Sequence, residues 1–288
     1  AQAEETRRRL MSAHNMPQAY FEIRIIQTTG DMVQDRPLSE IGGKGLFTQE
    51  IEQLLITGNI DIAVHSMKDM PTVLPPGLII STVLPREDVR DSFVSEKYSS
   101  IETLPDGATV GTSSLRRKAQ LLSRRPDLNI IEFRGNVQTR LKKLRQGLAD
   151  ATFLACAGLV RLGIPHLINP VPIDQMLPAV AQGAIGIEQR SDDESISKML
   201  EPINHKNTET QLLVERSFLA VLDRSCRTPI GGYAEIKDSQ ITFNGEILKP
   251  DGSKVHSGVW HGKTEEAFKL GKKAGITLKE KGGDGFFK

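Results

Sequence analysis

Two charged residues stand side by side after a short apolar run, where they could hold or stabilise charge. The apolar run 60–64 leads toward Lys68 and Asp69, and Pro71 ends the segment. Ligands of α/β proteins bind beyond the carboxyl ends of strands, and a carboxylate next to an ammonium group stays ionised and can stabilise a cation. The segment therefore predicts a strand end that presents chemistry. A strand followed by an ordinary turn with a surface ion pair is an equally weighted alternative.

Three further segments place arginines where a strand passes into a helix, at 111–117, 133–140 and 157–161. In the first, hydroxyl residues that can cap free N–H groups precede two arginines in the first helical turn, where the helix dipole disfavours cations. A bound anion would remove that conflict. Three such corners predict a site for a ligand with several carboxylates or phosphates; the alternative is three solvated helix starts with incidental arginines. The residues predicted for this site are Thr112, Ser113, Ser114, Arg116, Arg117, Arg134, Gly135, Asn136, Arg140 and Arg161.

The chain has two cysteines, and their surroundings differ. Cys156 lies in an apolar run and is predicted to be an inert core thiol. Cys226 lies in a polar segment between Arg224 and Arg227, and nearby cations lower a thiol pKa and favour the nucleophilic thiolate. A half-buried structural cysteine is the alternative at position 226. Two cysteines predict neither a disulfide framework nor a cysteine-based zinc site, and no metal is expected.

The elements that must position these residues alternate between strand and helix, which predicts sheets covered by helices. Crossings of the chain near 85–90 and 178–183 predict three domains: 1–85 with 184–203, 90–178, and a small α+β domain at 207–288. The helices are predicted at 4–13, 47–55, 113–124, 136–145, 215–222 and 264–281, and the strands at 21–27, 60–64, 109–111, 128–132, 151–154 and within 233–247.

Composition excludes several classes of protein. With 38% hydrophobic and 25% charged residues, the 288-residue chain suits a globular protein of two or three domains. The longest nearly apolar run, 151–160, is too short to cross a bilayer, and no signal peptide is visible, so no membrane partner is expected. The formal net charge of +1 argues against a nucleic-acid partner.

With these segments assembled, the chain resembles the hydroxymethylbilane synthase family, also called porphobilinogen deaminase. The resemblance covers essentially all 288 residues. Several independent matches in the right order argue against chance similarity. The motifs are IGGKGLF at 41–47, AVHSMKDMP at 63–71, VGTSSLRR at 110–117, FRGNVQTRL at 133–141, LPAVAQGAIGIE at 177–188 and SCRTPIGGYA at 225–234.

The resemblance implies a transferase of tetrapyrrole biosynthesis that joins four porphobilinogen molecules head to tail, releases ammonia at each step and frees hydroxymethylbilane by hydrolysis. It implies a dipyrromethane cofactor held by a thioether to Cys226, and an essential aspartate at Asp69 beside Lys68. The arginine-corner residues would grip cofactor and substrate carboxylates, with Lys44 and Gln182 close to the site. The implied fold has two periplasmic-binding-protein-like α/β lobes with mixed sheets and a small α+β C-terminal domain. A cytoplasmic monomer is expected, with the plastid stroma as the alternative compartment.

The residue types suit this chemistry. Each pyrrole unit carries an acetate and a propionate, so a growing chain needs many fixed cationic and N–H donors. Loss of ammonia leaves a cationic azafulvene, and a fixed carboxylate such as Asp69 can stabilise it in a water-poor cleft and assist proton transfer.

The sequence departs from the family pattern at two places, and one alternative function is open. The family's first strand ends in a Thr-Arg-x-Ser motif, whereas this chain starts after it at Ala1, and Arg224 stands where the family usually has glycine. The alternative function is a two-lobed solute-binding protein for a small acid, since that class shares the architecture. A covalent pyrrole adduct in an intact-mass spectrum separates the two.

Overall fold

The computed structural model describes residues 1–28, 48–222, 228–283 and 285–286, and the chain forms two compact units. The first unit comprises Ala1–Glu87 and Gly183–Thr210, and the second comprises Asp88–Gln182 and Gln211–Lys288. The first unit is therefore discontinuous in sequence. The division of the second unit into two separate domains stays a prediction.

The first unit is built on a three-stranded sheet with the order β1-β7-β2, in which both strand pairs are antiparallel. The strand expected at 60–64 is confirmed but lies two residues later. The strand expected at 21–27 is wrong: residues 21–28 have no regular secondary structure, and no described strand pairs with them. The elements are α1 (Gln2–His14), α2 (Gln49–Ile56), β1 (Ile62–Ser66), β2 (Leu78–Val83), β7 (Ile185–Arg190) and α6 (Glu194–Leu200).

Successive side chains of β1 point to opposite faces of the sheet, and both faces pack against other elements. Ala63 belongs to a small core with Leu55 of α2 and Leu78 of β2. Val64 of the opposite face packs against the core that contains Leu10 of α1. Helices therefore cover both faces, and the end of β1 is held in place by packing on both sides.

The second unit contains a mixed sheet with the order β3-β6-β4-β5, in which β3 pairs antiparallel with β6 and the other pairs are parallel. Its core includes Phe93 and Phe153, whose rings meet edge to face at 5.6 Å. The strand-to-helix corners predicted at 111–117 and 133–140 are confirmed as secondary structure. The elements are β3 (Asp91–Val94), β4 (Thr109–Gly111), α3 (Leu115–Arg124), β5 (Asn129–Ile131), α4 (Val137–Arg145), β6 (Ala151–Ala155) and α5 (Cys156–Arg161).

The C-terminal part is α+β, as expected. Three long strands, β8 (Ile230–Lys237), β9 (Gln240–Leu248) and β10 (Val255–Lys263), form an antiparallel sheet. Helix α7 (Lys206–Leu222) starts in the first unit and continues into the second, and α8 (Ala267–Gly282) packs on this sheet. No helix among the described residues is long and apolar enough to cross a membrane.

Gly111 lets two of the arginine corners pack together. A Cβ at this position would lie 2.4 Å from Cγ of Phe133, a ring that is almost fully buried. Phe133 directly precedes Arg134, and its backbone N–H donates to Oγ of Ser113 at 3.1 Å. The absence of a side chain at 111 therefore allows the first corner to touch the second.

Replacing Gly111 by Ala is expected to destabilise the protein by about 1–3 kcal/mol, because the buried ring must shift to admit the methyl group. The control is Gly158→Ala within α5, where a Cβ meets nothing within 4 Å. There the higher helix propensity of alanine stabilises by up to about 1 kcal/mol. Thermal unfolding midpoints of both variants give the comparison, and equal shifts of the same sign would contradict it.

Candidate active site

Asp69 lies at the carboxyl end of β1, in the first unit. After Ser66 the chain makes one 3-10 turn, Met67–Asp69, and Met67 and Met70 are buried on either side of the turn. Lys68 and Asp69 between them are exposed. The packed methionines thus direct both charged side chains outward, at the kind of position expected from the sequence.

The Asp69 carboxylate forms no ion pair with the described residues around it. Within the described residues the Asp69 carboxylate accepts no hydrogen bond and forms no salt bridge, and Lys68 and Asp69 do not pair with each other. The surface ion pair considered as the alternative from the sequence is therefore absent from this strand end. Within the described part of the chain, Asp69 thus has no fixed cationic partner and is open to a cation from outside the chain.

A buried polar pair lies in the strand that leads to Asp69. Nε2 of His65 is 3.0 Å from Oε2 of Glu188 on β7, and the two side chains are 6% and 0% exposed. Burial raises the pKa of the neighbouring Glu52, and the charge on Glu188 raises it further, although Thr48 and His65 oppose the shift. Sequence reasoning did not identify this pair, because the two residues are 123 positions apart.

The three hydroxyl residues of the first corner accept hydrogen bonds from backbone N–H groups. Ser114 accepts from Arg117 N–H at 3.4 Å as the cap of α3. Thr112 accepts from Ser114 N–H at 3.1 Å, and Ser113 accepts from Phe133 N–H. A hydroxyl that accepts in this way keeps its own proton for another acceptor.

Arg116 and Arg117 turn inward to a carboxylate that the sequence analysis did not single out. Nη2 of Arg116 donates to Oδ2 of Asp91 at 2.7 Å, and Nη2 of Arg117 donates to Oδ1 at 2.6 Å. Gln182 donates to the same Oδ1 at 3.0 Å. Three of the predicted site residues therefore meet at Asp91, within the second unit.

The second corner is built around Gly135, whose φ of 115° is unfavourable for other residues. Asn136 caps α4 by accepting from Thr139 N–H at 2.9 Å. Nε of Arg140 donates back to the Gly135 carbonyl at 2.8 Å. Arg134 makes a contact of 3.2 Å with the exposed Glu132. The corner thus gathers Arg134, Gly135, Asn136 and Arg140, as predicted.

Arg140 is a partly buried cation. Burial, followed by the positive charge of Arg117, lowers the pKa of Arg140 to about 10; Glu132 opposes this and Arg134 adds to it. Among the described residues, no carboxylate lies within ion-pair distance of Arg140. The second corner therefore carries more positive than negative charge.

The remaining predicted residues occupy different places. Arg161 is half-buried at the end of α5 in the second unit. Cys156, at the start of that helix, is buried, and burial raises the pKa of its thiol to about 12. Lys44 and Cys226 lie outside the described residues. No group of three or more described His, Cys, Asp or Glu residues is arranged to hold a metal ion.

Glu246 on β9 is a second acid near the arginines that the sequence analysis missed. Its Oε1 is buried without a hydrogen-bond partner among the described residues. Burial raises the pKa of this carboxyl to about 7, although the charges on Arg116 and Arg124 oppose the shift. Its neighbour across the sheet is Gly231 of β8.

Glu246→Gln is expected to change the pH dependence of stability. Because the folded-state pKa of about 7 lies above the unfolded value of 4.5, the stabilising contribution of the protonated carboxyl is complete below the unfolded value. It is lost as the pH rises toward about 7, by at most about 3 kcal/mol. Relative to wild type, the variant should therefore gain stability between about pH 5 and about pH 8. Thermal unfolding midpoints measured across that range give the test.

The matched control is Glu235→Gln, which makes the same change at an exposed position on the neighbouring strand β8. Its difference from wild type should not depend on pH in this window. A flat difference for Glu246→Gln as well would contradict the assigned burial effect.

Two family models match the chain. Residues 1–198 match the model described as "Porphobilinogen deaminase, dipyromethane cofactor binding domain". Residues 210–280 match the model described as "Porphobilinogen deaminase, C-terminal domain". Together the two matches cover most of both structural units.

Curated relatives agree with these matches. A porphobilinogen deaminase of Paracoccus denitrificans (strain Pd 1222) is 60% identical over 256 residues, which cover 88% of this chain and 82% of that protein. A porphobilinogen deaminase of Nitrobacter winogradskyi is 50% identical over 288 residues, covering 100% of this chain and 91% of that protein. Among solved structures, a VFT2 domain of Bordetella pertussis BvgS overlaps with a TM-score of 0.40 at 15% identity, covering 70% of this chain and 77% of that one.

Proposed function

We propose that this chain, which belongs to the porphobilinogen deaminase family, uses Asp69 to stabilise cationic pyrrole species, its arginine corners to hold pyrrole carboxylates, and Cys226 to carry its cofactor. The enzyme is a transferase of porphyrin biosynthesis that acts on porphobilinogen and uses a dipyrromethane cofactor. The solute-binding alternative is not favoured, because the family matches extend through the C-terminal part of the chain as well.

The observation that carries the carboxylate assignment is the surplus of positive charge at the second corner. Arg140 is partly desolvated, lies near Arg117 and Arg134, and has no acidic partner among the described residues. Buried charges in proteins are normally paired. A ligand carboxylate supplies the missing partner, and charge-assisted bonds of this type are worth about 1.5–3 kcal/mol each.

The chemistry of the surrounding donors fits the cofactor. Its acetate and propionate groups accept hydrogen bonds, and this part of the second unit offers guanidinium groups together with the hydroxyls of Thr112, Ser113 and Ser114. Each of these hydroxyls already accepts from a backbone N–H, which leaves its own proton to donate. When bound, the dipyrromethane supplies the pyrrole carbon on which the product chain grows. We assign Arg134, Gly135, Asn136, Arg140, Arg161, Arg116 and Arg117 to the same carboxylate site.

Asp69 suits the role of a charge-stabilising group. It is held at the end of β1 by the buried Met67 and Met70, and within the described residues its carboxylate forms no ion pair. Loss of ammonia from porphobilinogen creates positive charge on the pyrrole. A fixed carboxylate close to that charge lowers the barrier without having to reorganise. Lys68, its exposed neighbour, is assigned to substrate carboxylates.

The choice between the two cysteines follows from burial. The Cys156 thiol is buried and its pKa is raised to about 12, so almost none of it is thiolate near neutral pH. This disfavours Cys156 as the attachment point and supports Cys226. We further propose that Lys44 and Gln182 lie close to bound substrate, and that the enzyme is a cytoplasmic or plastid monomer.

Cys226→Ser should abolish the covalent pyrrole adduct, because a hydroxyl is a much weaker nucleophile than a thiolate. Intact-mass spectrometry of purified wild type and variant measures the adduct directly. The adduct should also be absent from Cys226→Ser after incubation with porphobilinogen. Cys156→Ser is the control and should retain the adduct. An adduct peptide that contains Cys156 would overturn the assignment.

Asp69→Asn keeps the shape of the side chain but removes its charge. If Asp69 stabilises cationic pyrrole species, the single-turnover rate at saturating porphobilinogen should fall by two to four orders of magnitude, or roughly 3–5.5 kcal/mol of transition-state stabilisation. Asp69→Glu keeps the charge but displaces it, so it should be impaired less than the Asn variant.

Asp61→Asn is the matched control for this experiment. Asp61 is an exposed acid just before β1, and among the described residues its carboxylate pairs with Arg190 alone, at 3.4 Å. Removing its charge should leave the rate near wild type. Equal rates for wild type, Asp69→Asn and Asp69→Glu would end the catalytic assignment of Asp69.

A further inference from the structure

Three residues of the proposed carboxylate site converge on one carboxylate that belongs to no motif of the resemblance. Asp91 is the first residue of β3 and is fully buried. Its Oδ1 accepts from Nε and Nη2 of Arg117, at 3.1 and 2.6 Å, and from Nε2 of Gln182 at 3.0 Å. Its Oδ2 accepts from Nη2 of Arg116 at 2.7 Å. A single side chain of β3 therefore organises groups from two other segments of the second unit, α3 and the segment that contains Gln182.

The sheet fixes the position of this carboxylate. The backbone of Asp91 is paired with Ala155 of β6, and its carbonyl accepts from Val171 N–H at 2.8 Å. Asp91 is thus a rigid reference point on a strand, whereas the guanidinium groups that bind it sit on long side chains of α3.

Backbone carbonyls complete the arrangement of the two arginines. Nη1 of Arg117 donates to the Phe153 carbonyl at 2.8 Å, and Nη1 of Arg116 donates to the Leu177 carbonyl at 2.7 Å. Each guanidinium group therefore donates both to the Asp91 carboxylate and to a backbone carbonyl, which fixes its orientation. Nε of Arg116 remains buried without a partner among the described residues.

The charges around Asp91 do not cancel. Two guanidinium groups share this one carboxylate, which leaves one positive charge within the trio near Arg140, whose pKa already responds to Arg117. The Glu246 carboxyl near Arg116 is mostly neutral below its pKa of about 7. Burial alone would raise the pKa of Asp91, but the charges and hydrogen bonds of Arg116 and Arg117 hold it well below its usual range. Asp91 therefore stays ionised, and the trio of Asp91, Arg116 and Arg117 keeps a surplus of one positive charge.

We propose that Asp91 is a positioning residue for substrate and cofactor carboxylates: it fixes Arg116, Arg117 and Gln182 and limits their surplus to one positive charge. This inference rests on the proposed function, because it requires that the arginine corners hold carboxylates. Two unpaired neighbouring guanidinium groups would repel each other and adopt many arrangements. The carboxylate on β3 selects one arrangement before any ligand arrives, which reduces the cost of binding.

A purely structural role for Asp91 makes a different prediction. Removing one partner of a buried ion pair destabilises the fold strongly, and a structural defect reduces the number of correctly folded molecules. The folded, loaded molecules that remain would then have an unchanged KM. A positioning role predicts that KM rises in every loaded molecule.

The test compares Asp91→Asn and Asp91→Glu with wild type. Asn removes the charge, whereas Glu keeps it but displaces the guanidinium groups by about one methylene, and displacements of about 1 Å can cost about a hundredfold. Three quantities are measured: the fraction carrying the pyrrole adduct by intact mass, the thermal unfolding midpoint, and KM and kcat per loaded molecule for porphobilinogen.

Two further variants calibrate the result. Asp88→Asn makes the same change three residues earlier, at a half-buried acid whose carboxylate accepts from Nη2 of Arg90 at 2.7 Å. It should leave adduct fraction and KM near wild type. Arg140→Gln tests the proposed carboxylate site itself and should raise KM by about tenfold or more. A silent Arg140→Gln would count against the proposed function rather than against Asp91 alone.

Both Asp91 variants are expected to show a lower adduct fraction and a KM raised by about tenfold or more in the loaded molecules, with kcat changed less than KM. If Asp91→Asn does not fold, Asp91→Glu decides. A KM within twofold of wild type for loaded Asp91→Glu, while Arg140→Gln is impaired, would overturn the inference. Failure of both Asp91 variants to fold would assign Asp91 to folding and would overturn it as well.

Discussion

The pairing of one buried carboxylate with two arginines is the constraint around which the second unit is organised. Taking charges out of water is costly, and the cost is repaid only when hydrogen bonds satisfy the charged groups from several directions. Asp91 meets this condition through Arg116, Arg117 and Gln182, and the carbonyls of Leu177 and Phe153 accept from Nη1 of the two arginines. The arginines that the helix dipole alone would disfavour at the start of α3 are therefore stable where they stand.

This arrangement explains why positive charge is available at the neighbouring corner. Arg140 is bonded to the Gly135 carbonyl and lies close to Arg117 and Arg134. The Asp91 carboxylate binds Arg116 and Arg117, so the positions of these two side chains are set without a ligand. Arg140, in contrast, lacks an acidic partner among the described residues. The family reaction needs fixed cations for several pyrrole carboxylates. Arg116 and Arg117, fixed by Asp91, give the site a rigid geometry. Arg140, which has no acidic partner in the described part of the chain, can bind a ligand carboxylate.

The first unit solves a different problem, which is to expose a carboxylate on a rigid support. One face of β1 is buried and the other is half-buried, and the buried face includes His65, which pairs with the buried Glu188. The strand then ends in one short turn with buried methionines on either side. Asp69 is exposed as a result, and sheet and turn hold its backbone, as a group that must stabilise developing charge requires.

The sequence by itself determined the family, the α/β class and most of the local elements. Helix starts at Ser114 and Asn136 were readable because capping and glycine positions are local properties, and the motif around Asp69 was recognisable because a strand end with adjacent charges is contiguous. The prediction of a strand at 21–27 was wrong because a strand needs a neighbouring strand to pair with. Local propensity contains no information about that pairing.

Only the tertiary structure decided how the predicted arginines are used. In the sequence, Arg116 and Arg117 were equivalent to Arg134 and Arg140, since all four flank helix starts. The fold separates them, because β3 brings Asp91 next to α3 from 25 residues away, whereas no described acid reaches Arg140. Nothing in the sequence distinguished Glu246 and Glu188 from exposed acids, and only the fold shows that a carboxyl oxygen of each is buried. The distance between charged groups and their access to water are set by packing across the chain, and neither is encoded in spacing along it.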